Sequence, residues 1–151
     1  GVAYNKAQLS VGQRLPETGT AFVSVNNDDK ANLLPIARDL ADLGFRLTAS
    51  RGTAVFLRSY GLDVDVIFKV NEGRPNIADE IVNKKIDLIV NTPLGRESFF
   101  DDRAVRRAAM MHQVPCITTL TGAAAAVSAI RAMRQQGVTV RALQDYYAGA
   151  N

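Results

Sequence analysis

The loop Ser50-Arg51-Gly52-Thr53 sets two hydroxyls and a glycine where a β-branched run gives way to a helical pattern. Free amides and the positive end of a helix favour an anion, so this tetrapeptide suits a phosphate, although it is neither a P-loop nor a dinucleotide glycine fingerprint. An ordinary helix cap by Ser50 or Thr53 accounts for the same residues. Lys30 and Lys69 close two other strand ends. Two ammonium groups converging on one rim suit a phosphate or carboxylate, whereas a single lysine is as a rule solvated. Asn91-Thr92-Pro93 follows the most hydrophobic run; there Asn91 either reads a base or sugar edge or makes an Asx turn. In the 71–76 loop Gly73 and Pro75 shape the backbone, and the spacing of Glu72 and Arg74 leaves a local ion pair and a ligand role equally open. His112, the only histidine, shares a stripe with Val105, Ala108 and Ala109 near a helix end, which favours a packed or capping role over catalysis. Cys116, in a short apolar run, reads as a small buried hydrophobe. One histidine and one cysteine cannot assemble a transition-metal cluster, and no nucleophile elbow is present.

These loops need elements to hold them. Residues 4–11 read as a short helix, and 12–19, with Pro16 and Gly19, as a linker. Beyond it, strand patterns over 21–25, 45–49, 64–68, 86–90 and 116–118 alternate with helical patterns over 32–43, 53–60, 77–83, 101–112 and 122–134. Pro35 is tolerated if its helix starts near Asn32, where first-turn amides have no intrahelical partner. The 141–147 stretch has no assignment. Alternation of this kind predicts an α/β fold: a three-layer, five-stranded parallel sheet with helices on both faces and right-handed crossovers. Ligands in such folds sit outside the carboxyl ends of the strands. The rule selects the 26–30, 50–53, 69–76 and 91–100 loops, the ones that carry the candidate residues.

The chain has 151 residues, 47% hydrophobic and 22% charged. That is one domain's worth, and a chain of this length buries about 68–70% of its unfolded surface. Its apolar content excludes disorder, and 11 glycines with 5 prolines exclude a coiled coil. The single cysteine excludes an internal disulfide. No apolar run approaches the roughly 20 residues of a membrane span and no signal peptide is evident, so a cytoplasmic protein with no membrane partner is expected. The first residue is Gly1 rather than methionine, as expected of a piece of a longer protein. The formal charge is +3 and the isoelectric point about 9.2. The 18 basic residues are interleaved with 15 acidic ones, the densest basic groups are pairs such as Lys84-Lys85 and Arg106-Arg107, and tryptophan is absent. That pattern fits a small anionic ligand rather than nucleic acid.

Taken together, Ser24-Val25-Asn26-Asn27-Asp28-Asp29-Lys30, Lys69-Val70-Asn71-Glu72-Gly73-Arg74-Pro75-Asn76, Ile89-Val90-Asn91-Thr92-Pro93 with Gly95-Arg96, and Arg106-Arg107-Ala108-Ala109 are far more specific than any one loop. With Ala3-Tyr4-Asn5-Lys6-Ala7-Gln8 and Gly12-Gln13-Arg14-Leu15-Pro16, they make the chain resemble, over nearly its whole length, the C-terminal methylglyoxal-synthase-like domain of the carbamoyl-phosphate synthetase large subunit. The resemblance implies a methylglyoxal-synthase-like, Rossmann-like fold over 20–151, with 1–19 as an N-terminal helix and linker from the preceding domain. It implies a regulatory domain without chemistry or cofactor of its own. The parent enzyme uses ATP with a divalent metal to make carbamoyl phosphate for arginine and pyrimidine synthesis, and takes ammonia from a glutaminase small subunit. Implied partners are a nucleotide effector of the UMP or IMP type, the rest of the large subunit and the small subunit, with homo-oligomers possible through the parent enzyme. Animal urea-cycle members respond instead to N-acetylglutamate. Carried over by motif, the effector would meet Lys30, Ser50, Arg51, Gly52, Thr53, Lys69, Asn91, Thr92 and Pro93, and an ornithine contact would fall at Thr118. Three positions depart from some bacterial members: Ser50 stands for threonine, Arg51 for histidine, and Pro93 for a threonine, which removes a hydroxyl and an amide donor. The alternative on the same fold is a methylglyoxal-synthase-type lyase acting on a small phosphorylated substrate. That chemistry needs an aspartate in a Gly-Asp-Gln-Gln-like loop, where this chain has Glu72-Gly73-Arg74-Pro75-Asn76.

Overall fold

The computed structural model describes residues 14–93 and 99–149, with side chains over 14–93 and 102–136. The helix expected over 4–11 lies outside the described residues. Five strands, β1 (Thr20–Ser24), β2 (Arg46–Ala49), β3 (Val64–Val66), β4 (Leu88–Asn91) and β5 (Cys116–Ile117), form one parallel sheet in the order β3-β2-β1-β4-β5. Between them run α1 (Lys30–Asp42), α2 (Arg51–Ser59), α3 (Ile77–Val82), α4 (Phe99–Met111) and, after β5, α5 (Leu120–Gly149). The expected doubly wound α/β architecture is the one observed.

Pleating explains the two layers of helices. Ala21, Val23, Val90 and Leu47 meet α1, α2 and α5 through Leu33, Leu40, Leu57 and Ile130. Phe22 and Ile89 point the other way, onto Ile77 and Ile81 of α3 and Val105 and Ala109 of α4. Central strands covered on both faces need apolar residues at successive positions, and β1 and β4 have them. The two edge strands are short, which limits the open hydrogen-bonding edge. Before β1, Gly19 has φ of +129°, and a Cβ there would lie 2.1 Å from Asp87 Oδ2, so only glycine lets the chain enter the sheet at this point.

Several boundaries depart from expectation for local reasons. Helix α1 starts at Lys30, ahead of Asn32, because a 3₁₀ turn over Asn27–Asp29 leads into it and the Asn26 side chain accepts from the Asp29 amide. Pro35 therefore sits inside the helix rather than in its first turn, and the bond to the carbonyl four residues back is lost. Strand β3 stops at Val66; a single bridge from Phe68 to Asn76 then closes the following loop. Helix α5 begins at Leu120, with the Thr119 hydroxyl accepting from the Gly122 amide, and continues through 141–147. One interior glycine costs a helix about 1 kcal/mol, too little for Gly137 to end it. His112 is exposed beyond the end of α4, so it has no packed role; its backbone amide donates to the Ala108 carbonyl. Cys116 is half-buried against the α3–α4 layer, and burial pushes its thiol up to about 11.

Candidate functional site

Three strand-end loops meet at the carboxyl edge of β1, β2 and β3. Together they enclose a recess of about 220 Å³, whose lining includes Lys30, Ser50, Gly52, Thr53 and Lys69. The floor is the first turn of α2. Ser50 occupies the N-cap position with extended backbone, yet its side chain makes no cap bond. The expected ordinary cap is absent because the Ser50 hydroxyl is taken elsewhere: it lies 2.9 Å from Ser24 Oγ and donates to Thr53 Oγ1 at 3.3 Å. The first amide to bond back along the helix is that of Ala54, to the Ser50 carbonyl at 2.8 Å. The amides of Arg51, Gly52 and Thr53 thus precede the intrahelical ladder, at the positive end of the helix dipole.

Lys30 hangs over that end. Its Nζ donates to Asn27 Oδ1 at 2.6 Å and lies 3.4 Å from where a Gly52 Cβ would be. A Cβ at 52 would therefore stand in ordinary contact with the ammonium, and glycine leaves the backbone of the helix opening bare beneath it. A cation beside a helix N-terminus is electrostatically unfavourable by itself, and an anion between the two resolves the conflict. Lys69 approaches from the β3–α3 loop, which is held in shape from within. The Lys69 amide donates to Glu72 Oε1 at 2.7 Å, and Arg74 pairs with Asp79 at 2.6 Å rather than with Glu72, which settles the local ion pair left open by spacing. Asn76 then starts α3 with a reciprocal cap: its side chain accepts from Ala78 and Asp79, and Asp79 accepts from the Asn76 amide. Hydrogen bonding from Arg74, followed by that from the Asn76 amide, holds the Asp79 carboxyl below the usual carboxylate range.

The remaining sequence candidates lie elsewhere. Arg51 opens α2 with an exposed side chain that does not line the recess. Asn91 is buried on the α3–α4 side of the sheet and donates to Asp102 Oδ1 at 3.2 Å, sharing a narrow crevice with Ser24 and Lys69. Thr92 and Pro93 belong to a second cavity, of about 730 Å³, between α1 and α5; Thr118, Asp29 and Asp39 also line it. The two cavities share one wall. Asn26 donates its backbone amide to Thr92 Oγ1 at 3.2 Å and its side-chain amide to the Pro93 carbonyl at 3.2 Å. Ser24, Asn26 and Asn27 were not among the sequence candidates. A polar residue inside the otherwise apolar run 21–25, at the head of the 24–30 motif, was the available signal for Ser24.

A family model described as MGS-like domain matches residues 32–118. The chain belongs to the MGS-like domain family. It is 48% identical over 149 residues to the carbamoyl phosphate synthase large chain of Acidobacterium capsulatum, covering 99% of this chain and 14% of that protein. It is 51% identical over 150 residues to the C-terminal section of the large chain of Methanopyrus kandleri, covering 99% of this chain and 28% of that protein. The chain thus spans about one seventh of the first relative's length and corresponds to the MGS-like part of such a large chain. Among solved structures, methylglyoxal synthase from Elizabethkingia anophelis superposes with a TM-score of 0.59 at 17% identity, covering 76% of this chain and 80% of that one. At that identity the likeness establishes the fold alone. No helix among the described residues is long and apolar enough to cross a membrane.

Proposed function

We propose that this MGS-like chain is the effector-binding regulatory domain of a carbamoyl phosphate synthase large subunit, and that the recess over α2 holds the phosphate of a nucleotide effector of the UMP or IMP type. The observation that carries the reading is the placement of two lysines on either side of a helix opening whose N-cap serine leaves the first-turn amides uncapped. Amides, ammonium groups and a hydroxyl converge there on one space, and each is a donor suited to a phosphate oxygen. The base and ribose would extend toward the rim, where exposed Arg51 is a contact for those parts rather than for the phosphate. The Asn26 bonds to Thr92 and Pro93 give the phosphate recess a physical link to the larger cavity, where Thr118 is the proposed ornithine contact. Regulation then consists of a coupling free energy, commonly about 1–3 kcal/mol, between this domain and the synthetic sites of the longer chain.

The family relation to large chains of which this chain covers about one seventh supports work in concert with the rest of that subunit; a glutaminase partner and a cytoplasmic setting belong to the same proposal. Thermal-shift titration of the purified chain with UMP, IMP, ornithine and N-acetylglutamate tests the reading. A nucleotide at about 100 times its Kd adds about 2.7 kcal/mol of stability. Absence of any shift with both nucleotides, or release of methylglyoxal from dihydroxyacetone phosphate by the chain, overturns it.

A further inference from the structure

The hydroxyls beneath the recess have a direction. Thr53 is 1% exposed, and its Oγ1 accepts from the Val25 amide at 3.3 Å and from the Ser50 hydroxyl at 3.3 Å. A hydroxyl oxygen has two lone pairs and one proton, so with both lone pairs engaged Thr53 has only its proton to offer. Ser50 has one proton and gives it to Thr53, so in the 2.9 Å contact with Ser24 it must accept. The order runs from Ser24 to Ser50 to Thr53 and out into the recess. Most of the other polar groups on the lining follow the same sense. Lysine ammonium groups have no acceptor. The Asn27 amide oxygen accepts from Lys30 and that of Asn26 from the Asp29 amide, which leaves each one further lone pair beside the donors. Among the described residues, no carboxylate lines the recess.

We propose that the recess selects a fully deprotonated tetrahedral oxyanion and rejects the monoprotonated form, with Ser24 as a positioning residue that fixes the direction of the Ser24–Ser50–Thr53 chain. The inference rests on the phosphate reading above and sharpens it to one ionisation state. A P–OH group entering the recess would point a proton at a lining made mostly of donors, and a polar group left unmatched there is costly. A dianionic phosphate and a sulfate, neither carrying a proton, are then equivalent in what they ask of the site.

The test uses inorganic sulfate and methyl phosphate as probes, titrated calorimetrically against the purified chain at pH 5.0 and 7.5. The charged groups around the recess are Lys30 at the start of α1, Arg51 at the start of α2, Lys69 and Glu72 in the β3–α3 loop, and Asp28 and Asp29 in the 3₁₀ turn. Sulfate, proton-free throughout, reports any change in their charge, so the ratio of methyl phosphate to sulfate affinity isolates the ligand's own proton. A phosphate monoester loses its second proton near pH 6, so that ratio is expected to rise roughly tenfold between the two pH values. Ser24→Ala frees the chain to reverse, with Thr53 donating to Ser50 and accepting from the ligand, and should cut the rise to about twofold or less. A flat ratio in the parent overturns the inference while leaving an anion site intact. Failure of both probes to bind at any pH overturns the phosphate reading and the inference together. An unchanged tenfold rise in the Ser24 variant removes Ser24 from the account.

Discussion

Two cavities flank the segment that leaves β1, and they differ in every respect except that shared wall. The larger, at about 730 Å³, sits where the strand order reverses between β1 and β4, the place where α/β sheets most often bind ligands. Its wall combines Pro35, Ile36 and Val127 with threonines and with Asp29 and Asp39, the latter 3.6 Å from Arg131. The smaller, at about 220 Å³, lies over β1, β2 and β3, one strand away from the reversal. It is lined by donors and carries two lysines. Volume and topology favour the first as a general ligand site, whereas an anion responds to charge and hydrogen-bond polarity, which favour the second. The difference teaches that one sheet edge can present two chemistries a loop apart, and that the sign of the lining decides which ligand goes where.

The widest separation between the cavities should come from Lys69. A charge-assisted phosphate contact is worth about 1.5–3 kcal/mol, so Lys69→Ala should weaken nucleotide binding by roughly ten- to a hundredfold. Lys84→Ala, at a position away from the strand-end loops, is the control and should leave binding unaltered. Salt should weaken binding in the parent more than in the Lys69 variant, since a screened ion contact has been removed. Equal affinities for the two variants in calorimetry would move the phosphate out of the recess.

Thr118→Val probes the other side. Loss of one neutral hydrogen bond, about 1 kcal/mol, should reduce the ornithine response about fivefold and leave the nucleotide Kd where it was. A nucleotide Kd that changes as much as the ornithine response would merge the two cavities into one site.

Asn76→Ala should lower stability by about 0.5–2 kcal/mol through loss of the α3 cap, read as a denaturation midpoint shift with an unchanged slope. Because that cap holds the loop bearing Lys69, a modest loss of nucleotide affinity should accompany it, with none at Thr118.

Gly52→Ala should act in opposite directions on fold and site. Alanine is favoured over glycine in a helix by roughly 0.5–1 kcal/mol, so the melting temperature should rise. The added Cβ, in ordinary contact 3.4 Å from Lys30 Nζ, would stand among the first-turn amides where the phosphate approaches the backbone, and should weaken nucleotide binding severalfold. A variant both more stable and equally tight would show that the phosphate does not need a bare backbone at 52.

The smallest expected effect is electrostatic. The Asp79 carboxyl is held below its ordinary range by Arg74, so its contribution to stability is complete above the unfolded carboxylate value, about 3.9, and fades as the pH falls through the lower folded value. Arg74→Ala should therefore melt slightly below the parent at pH 7, and the gap should close on acidification. A gap that widens in acid would refute the pairing.

Much of the architecture was legible in the residues. The near-continuous apolar runs at Phe22-Val23 and Ile89-Val90 required strands covered on both faces, and a parallel sheet then put the polar loops at one edge. The sequence by itself therefore determined the five βα units, the rim that bears Lys30 and Lys69, and the membership of Ser50, Gly52 and Thr53 in one loop. Hydrophobic periodicity is a local property, and it sufficed for these. It did not determine that Thr92 and Pro93 face a different cavity from Lys69, or that Asn91 turns to the opposite face of the sheet toward Asp102. Strand register decided both, because pairing Ser24 with Asn91 sets which side of the sheet each neighbouring residue meets. Nor could spacing reveal that Ser50, open to both a cap and a phosphate contact, gives its hydroxyl to Thr53 and lies against Ser24 on the neighbouring strand. That choice depends on two groups 26 positions apart meeting in a buried space, where an unmade hydrogen bond is costly, and only the tertiary structure brings them together.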